Sequence, residues 1–382
     1  MKKLFYAGMI LLAVFEILKV YFIMPMPGSQ EIQSLDIAYL LHSHRWWFRA
    51  AFGVMIIAGF RDAFRGKRPW VPAAVGALAM VVVYYFNFKM TADSIFLQPE
   101  KVTFKSQDES QVNDSSLVIA VEYKGVAKAY PIRYLTYHHQ VQDTIGGKNI
   151  IVTYCSVCRT GRVFEPVVNG QHEKFRLVGM DHFNAMFEDA TTKSWWRQAT
   201  GEAVAGSLKG TSLPEVESFQ TNLRKFFELY PQAMVMQLDE ASRTKYDSTG
   251  RFEKGKSKGK LTRTDSLSWK DKSWVVGIQA GNASKAYDWI QLTEKRVIND
   301  NVGGKPVVLA LSGDAQTFVV FERPSQTDEF TLRQDTLFAG GKPYDLSGRD
   351  LSTPDQRLAR VNAYQEFWHS WRTFHPDTEK FE

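Results

Sequence analysis

An ungapped internal match limits how this chain can fold. VAKAYPIRY at 126–134 parallels ASKAYDWIQ at 283–291, and QDTIGGKNIIVTY at 142–154 parallels NDNVGGKPVVLAL at 299–311. Lys128 aligns with Lys285, and the offset of 157 then holds through Asp143/Asp300, Gly146/Gly303, Gly147/Gly304, Lys148/Lys305 and Phe164/Phe321. Such a match reads as a tandem duplication of one supersecondary unit. Each copy predicts a mainly β, α+β domain. Leu117–Tyr123 and Ala127–Ile132 read as short strands around Lys124-Gly125. The glycine pairs precede an apolar run, where a tight turn needs positive φ. Phe219, Leu223, Phe226 and Leu229 predict a closing helix, stopped at Tyr230-Pro231. Tyr364, Trp368, Trp371 and Phe374 repeat that stripe before His375-Pro376.

Three apolar stretches precede the copies: Leu4–Met24, Trp46–Phe60 and Trp70–Phe88. The first and third are long enough to cross a bilayer core of about 30 Å. Glu16 and Lys19 interrupt the first on one helical face, placed to pair or to meet a neighbouring helix. The second is short, with Arg49 placed to snorkel and Trp46-Trp47 suited to the interface. Pro25–Gln30 lacks a small-x-small cleavage pattern, so an uncleaved anchor is expected. Lys2-Lys3 and the loop with Arg61, Arg65, Lys67 and Arg68 are expected in the cytoplasm. Three crossings then place residues 89–382 outside it, and the bilayer is the one partner implied. The formal charge of +6 partly serves this orientation, and no nucleic-acid motif accompanies it.

The expected organisation is a membrane domain (1–90), a first β-rich repeat (91–238), a basic flexible linker (239–273) and a second, degenerate repeat (274–382). The linker core, GRFEKGKSKGK, has no apolar period.

The two cysteines, Cys155 and Cys158, sit after the β-branched run Ile150–Tyr154, on a turn between two strands. They align with Ser312 and Ala315, and the nearby His138 aligns with Lys295. Thiols and imidazole are therefore absent together from the second copy. Three chemistries fit, taken in this order. The first is a zinc or copper knuckle of Cys155, Cys158 and His138, with His139 adjacent. The second is a redox dithiol using Cys155 and Cys158 as a thiol–disulfide oxidoreductase. The third is a static local disulfide on a non-catalytic binding or scaffold module. Met180, His182 and Met186 offer further soft donors, although methionines here more often fill a core. Trp195 and Trp196 are adjacent, so one is expected to pack inward and the other to line a surface or pocket. Nucleophile-elbow, phosphate-loop and zinc-protease motifs are absent from the sequence.

TYCSVC, the upstream AYPIRYLTYHHQVQDTIGG and the downstream TKSWWRQATGEAVAG resemble the bacterial and archaeal family catalogued as domain of unknown function 3179. The resemblance implicates His138, Asp143, Cys155, Cys158, Trp196, Gln198, Gly201 and Glu202. This chain has Ser156 where the family often has Pro, Arg159 where Gly or Asn is common, and Gln142 where Asn is usual. The family has no established activity, so the resemblance implies a domain, and the plasma membrane of a bacterium as its location, without a substrate.

Overall fold

Four helices open the chain: α1 (Lys2–Tyr21), α2 (Leu35–Ser43), α3 (Arg45–Phe64) and α4 (Trp70–Phe88). They belong to a computed structural model that describes residues 1–247 and 249–382. By contact the chain divides into two units. The first comprises Met1–Leu97, Lys174–Arg197 and Glu202–Thr211. The second comprises Gln98–Glu173, Gln198–Gly201 and Ser212–Glu382. The class is α+β, with many small sheets.

In the first unit, α1 and α4 are long and apolar enough to cross a membrane. The expectation of three such helices is corrected to two. The helix α3 matches them in length, but Arg49 near its start and Arg61-Asp62 near its end deny it a sufficiently apolar stretch. Its backbone nevertheless lies tight against α1. A Cβ on Gly59 would collide with the Phe5 backbone nitrogen, so only glycine allows this approach. Arg49 does not snorkel. Its Nε donates to the fully buried Glu16 carboxylate at 2.6 Å, Lys19 Nζ reaches the same group at 2.8 Å, and Asn87 Nδ2 donates at 2.9 Å. Three helices thus share one buried anion, which is how charge is tolerated among apolar side chains.

The same unit holds an antiparallel sheet of Ala203–Ala205, Trp195–Arg197, Asn184–Asp189 and Phe175–Asp181, in that order. Met186 and Trp195 fill its core with Ile23, Ala38 and Val178. The register shifts between Trp195 and Trp196. The indoles still take opposite faces of the strand, as their contacts with consecutive residues show, and both faces are covered, so both are buried rather than one. Each is satisfied by a carboxylate at 3.0 Å, Trp195 by Glu188 and Trp196 by Asp189.

The second unit runs through one order of elements twice. The hairpin Leu117–Tyr123/Val126–Pro131, the helix Ile132–His138 and the meander Gln140–Ile145, Lys148–Cys155, Thr160–Phe164 come first. The hairpin Trp274–Ala280/Ala283–Asp288, the helix Trp289–Lys295 and the meander Val297–Val302, Lys305–Leu311, Phe318–Glu322 follow. Polar pairs recur with them. Lys128 and Tyr130 both reach Asp143 at 2.7 Å; Lys285 and Tyr287 reach Asp300 at 2.8 and 2.9 Å. Both glycine pairs adopt positive φ. The closing helices are Leu223–Leu229 and Trp368–Phe374. They are shorter than the apolar stripes predicted, because Phe219 and Tyr364 lie on the preceding strands Phe219–Asn222 and Ala363–Phe367.

Those strands pair within their own halves, Phe219–Asn222 with Leu117–Tyr123 and Ala363–Phe367 with Trp274–Ala280, and each also touches the other half. Phe367 N–H donates to the Cys158 carbonyl at 2.8 Å, and Thr160 Oγ1 donates to Glu366 at 2.8 Å. Reciprocally, Thr221 and Thr317 hydroxyls meet at 2.9 Å, and Gln220 Nε2 donates to Gln365 Oε1 at 3.1 Å between the two strands. Segment 239–273 departs from the expected flexible linker. It carries the short helices Arg243–Tyr246 and Gly250–Glu253 and buries Tyr246 and Phe252.

Candidate functional site

The buried strand Lys148–Cys155 and its partner Thr160–Phe164 are closed by the pair Cys155↔Thr160, which leaves Ser156–Arg159 as the turn. Arg159 adopts φ 58, a left-handed conformation costly for any residue with a side chain. Its guanidinium is anchored on every side. Nε donates to Gln365 and Nη1 and Nη2 to the Phe252 and Glu253 carbonyls, each at 3.1 Å, while the group lies 3.7 Å from the Trp274 ring centre. The supposed linker therefore helps to hold the cysteine turn in shape.

Cys155 and Cys158 are both 0% exposed and form no disulfide. Against their turn lies Lys272, whose Nζ donates to the Val157 carbonyl at 2.8 Å and sits 2.9 Å from His369 Nε2. Burial pushes the Lys272 ammonium down to about 8, against the upward pull of thiolates at Cys158 and Cys155. Burial, reinforced by the Lys272 charge, pushes His369 down to about 4, so its imidazole is neutral near pH 7. Both side chains are only half-buried, whereas both thiols are fully buried. Beneath the turn, the fully buried Glu366 receives Thr160 at 2.8 Å, Arg162 Nη2 at 2.6 Å and Ser370 at 2.9 Å. An ammonium beside thiols favours their nucleophilic thiolate form, and a neutral imidazole can accept a proton.

The residues singled out from sequence do not all meet. His138 Nε2 is 2.5 Å from the Tyr246 hydroxyl. Among the described residues no group of three or more His, Cys, Asp or Glu side chains could hold a metal ion. The zinc or copper set of Cys155, Cys158 and His138 is thus corrected: the turn supplies two thiols without a converging third donor. His139 caps its helix at φ 61 and its Nδ1 meets the Tyr154 carbonyl at 2.9 Å; burial lowers it to about 4. Arg296, at φ 64, occupies the matching cap in the second half, so this position serves the backbone. Asp143 likewise matches Asp300 in its contacts. Gln198 does reach the cysteine hairpin, donating to Thr153 Oγ1 and the Thr160 carbonyl at 3.1 Å each. Met180, His182, Trp196 and Glu202 lie in the other unit, where His182 is bound to Asp181 at 2.6 Å and Glu202 faces Arg197 at 3.7 Å.

Lys272 and His369 escaped the sequence reading. One signal for them existed: at the recurring offsets they fall opposite Ser115 and Arg224, so they differ between halves just as the cysteines do. The backbone bonds confirm the pairing, with Arg224 N–H on the Asp114 carbonyl and His369 N–H on the Asp271 carbonyl, both at 2.9 Å.

No curated protein matches the chain, and no solved structure does. A family model described as a protein of unknown function, DUF3179, matches residues 97–378, most of the second unit and the strands between its parts. The chain belongs to the DUF3179 family.

Proposed function

We propose that this DUF3179 protein is a membrane-anchored thiol–disulfide oxidoreductase that works through Cys155 and Cys158. The observation that carries the reading is Lys272, a half-buried ammonium bonded to the turn between the sulfurs and electrostatically coupled to both. In the proposed cycle a thiolate of the pair attacks a substrate disulfide. The substrate S–S bond breaks as a mixed disulfide forms, and the leaving thiolate takes a proton from Lys272 or solvent. The second cysteine then attacks the mixed disulfide and releases the other substrate thiol. The pair ends oxidised and the substrate reduced by two electrons. Lys272 and His369 must swing aside for the substrate, because neither sulfur reaches the surface.

The test is a thiol count on the full chain in neutral detergent, equilibrated against graded glutathione redox buffers. The reading expects reversible interconversion within the range of oxidoreductases. A disulfide that resists reduction to below about −300 mV, as structural ones do, refutes it.

We further infer that the two halves arose by duplication and that only one composite site survived. The support is the shared element order together with the contrast of Cys155, Cys158, Lys272 and His369 against Ser312, Ala315, Ser115 and Arg224. For the membrane, we infer a cytoplasmic N-terminus with residues 89–382 outside, which requires α3 to return beside α1 although it is not apolar enough to cross on its own. Lys2-Lys3 and the Arg61–Arg68 loop share one end of the bundle, since the Met1 amine lies 3.8 Å from Asp62. Protease protection in sealed vesicles tests this arrangement.

A further inference from the structure

The first unit contains a cavity of about 560 Å³ that none of the chemistry above uses. Lys19 in the last turn of α1, Arg45 and Trp46 in the first turn of α3, and Asn87 in the last turn of α4 form one side. The sheet residues Arg176 and Glu188 form another. The cavity therefore lies at one level of the helices, where their apolar stretches end. Trp46 and Trp47 stand exposed beside it, as aromatic side chains do at the headgroup level of a bilayer.

Its charges do not cancel. Arg176 engages both acidic groups of the wall, Asp93 at 2.9 Å and Glu188 at 2.8 Å. Lys19 is committed to Glu16 at 2.8 Å. Arg45 donates to the His42 carbonyl at 2.7 Å, and Lys193 is exposed at the rim; neither has a carboxylate partner among the described residues. His42 contributes no charge near neutral pH, because burial lowers it despite Glu188. The remaining wall includes the apolar Val20, Ile23, Met24 and Val178. Two unspent cations above an apolar floor suit one class of ligand: an amphiphile with an anionic head.

We propose that this cavity binds the headgroup of an anionic phospholipid, with Arg45 and Lys193 engaging its phosphate. Basic recesses among membrane helices take acidic lipids by this chemistry. The inference rests on reading α1 and α4 as membrane helices. That reading is tested separately by protease protection, so the two can fail independently.

The experiment uses the full chain in a neutral maltoside detergent and measures calorimetric binding of dihexanoyl phosphatidylglycerol, dihexanoyl phosphatidylcholine and inorganic phosphate. Both lipids offer the same phosphate, but the choline cation is repelled by Arg45 and Lys193, so saturable binding of the glycerol lipid, tighter than the choline lipid by about tenfold or more, is expected. The double variant Arg45→Gln/Lys193→Gln should lose that preference, while Lys209→Gln, outside the cavity wall, should keep it. Thr91→Trp, placed to fill the cavity, should abolish binding of both lipids. Unfolding temperature reports whether each variant is folded, and the two cavity designs act by different means. Equal binding of the two lipids, or an unchanged preference in a folded double variant, overturns the proposal. Inorganic phosphate binding as tightly as the glycerol lipid also overturns it, leaving a site for a free anion.

Discussion

Replacing Lys272 by Met removes the ammonium bonded to the cysteine turn and keeps most of the side chain's length and apolar stem. Two unit charges about 5 Å apart at an effective dielectric near 20 exchange about 3 kcal/mol, or about 2 pKa units. Lys272 is half-buried, so solvent screening reduces this to about 1 unit on the more acidic thiol. At pH 7 that is about a tenfold loss of thiolate. The assay is the rate of iodoacetamide alkylation from pH 5 to 9, on reduced full-length protein in detergent. The inflection of the profile is the readout, because removing the cover also changes access and hence the plateau. The wild-type inflection should lie about 1 unit below that of Lys272→Met, and Lys272→Arg should restore it. Stability supplies an independent check. The folded pKa of about 8 lies below the unfolded value, so the unfolded chain keeps a proton that the folded chain releases between those values. Wild-type stability should therefore rise with pH above about 8, and below it the ammonium is held at a cost of about 3 kcal/mol before screening. Lys272→Met should unfold at higher urea at pH 7. Coincident inflections, or a variant both equally acidic and less stable, would refute the argument.

Glu16→Gln leaves Arg49 and Lys19 buried without their counter-charge and should cost about 3 kcal/mol, read as a lower unfolding temperature in detergent. Pairing it with Arg49→Met should recover part of the loss. His139 and His369 both fold at about 4, below the unfolded value near 6.5, so the unfolded chain takes up protons first as pH falls. Urea midpoints should drop between pH 6.5 and 4, by less in His369→Gln. Arg159→Ala should destabilise by about 2–4 kcal/mol, since it strips partners from Gln365 and two buried carbonyls while keeping a side chain at φ 58. Arg159→Gly should cost less, because glycine accepts that φ freely.

Local pattern carried the sequence reading a long way within each half. The glycine turns, the apolar run into Cys155 and the helix spacing are short-range signals, and the element bounds follow them. Phe219 and Tyr364 marked the limit: an apolar residue every third or fourth position continues onto a strand when the strand's inward face happens to fall in phase. The Trp195-Trp196 pair marks another limit, since alternation sends neighbours to opposite faces without saying whether both faces are covered. The supposed linker was misread because its packing depends on two aromatics, Tyr246 and Phe252, set among charges. Average composition hides what two buried rings can hold in place.

The site itself was half legible, and the missing half has a topological cause. Cys155 and Cys158 announced themselves by being the chain's two cysteines, but Lys272 and His369 sit 114 and 211 residues beyond Cys158. They arrive there because the closing strand of the second half, paired with its own hairpin, ends against the cysteine turn. Phe367 therefore bonds the Cys158 carbonyl, and the next helix carries His369 over the turn. Lys272 enters just before the second hairpin, through the backbone bond from Trp368 to Ser273. The His138 constellation assumed that groups close in sequence would meet, whereas the packing of one half against the other makes distant groups the neighbours. A chain built this way presents two equivalent places where a turn of one half meets a closing helix of the other. Among the described residues, thiols, ammonium and imidazole meet at only one of the two. At the other, Ser312, Ala315, Ser115 and Arg224 supply none of them.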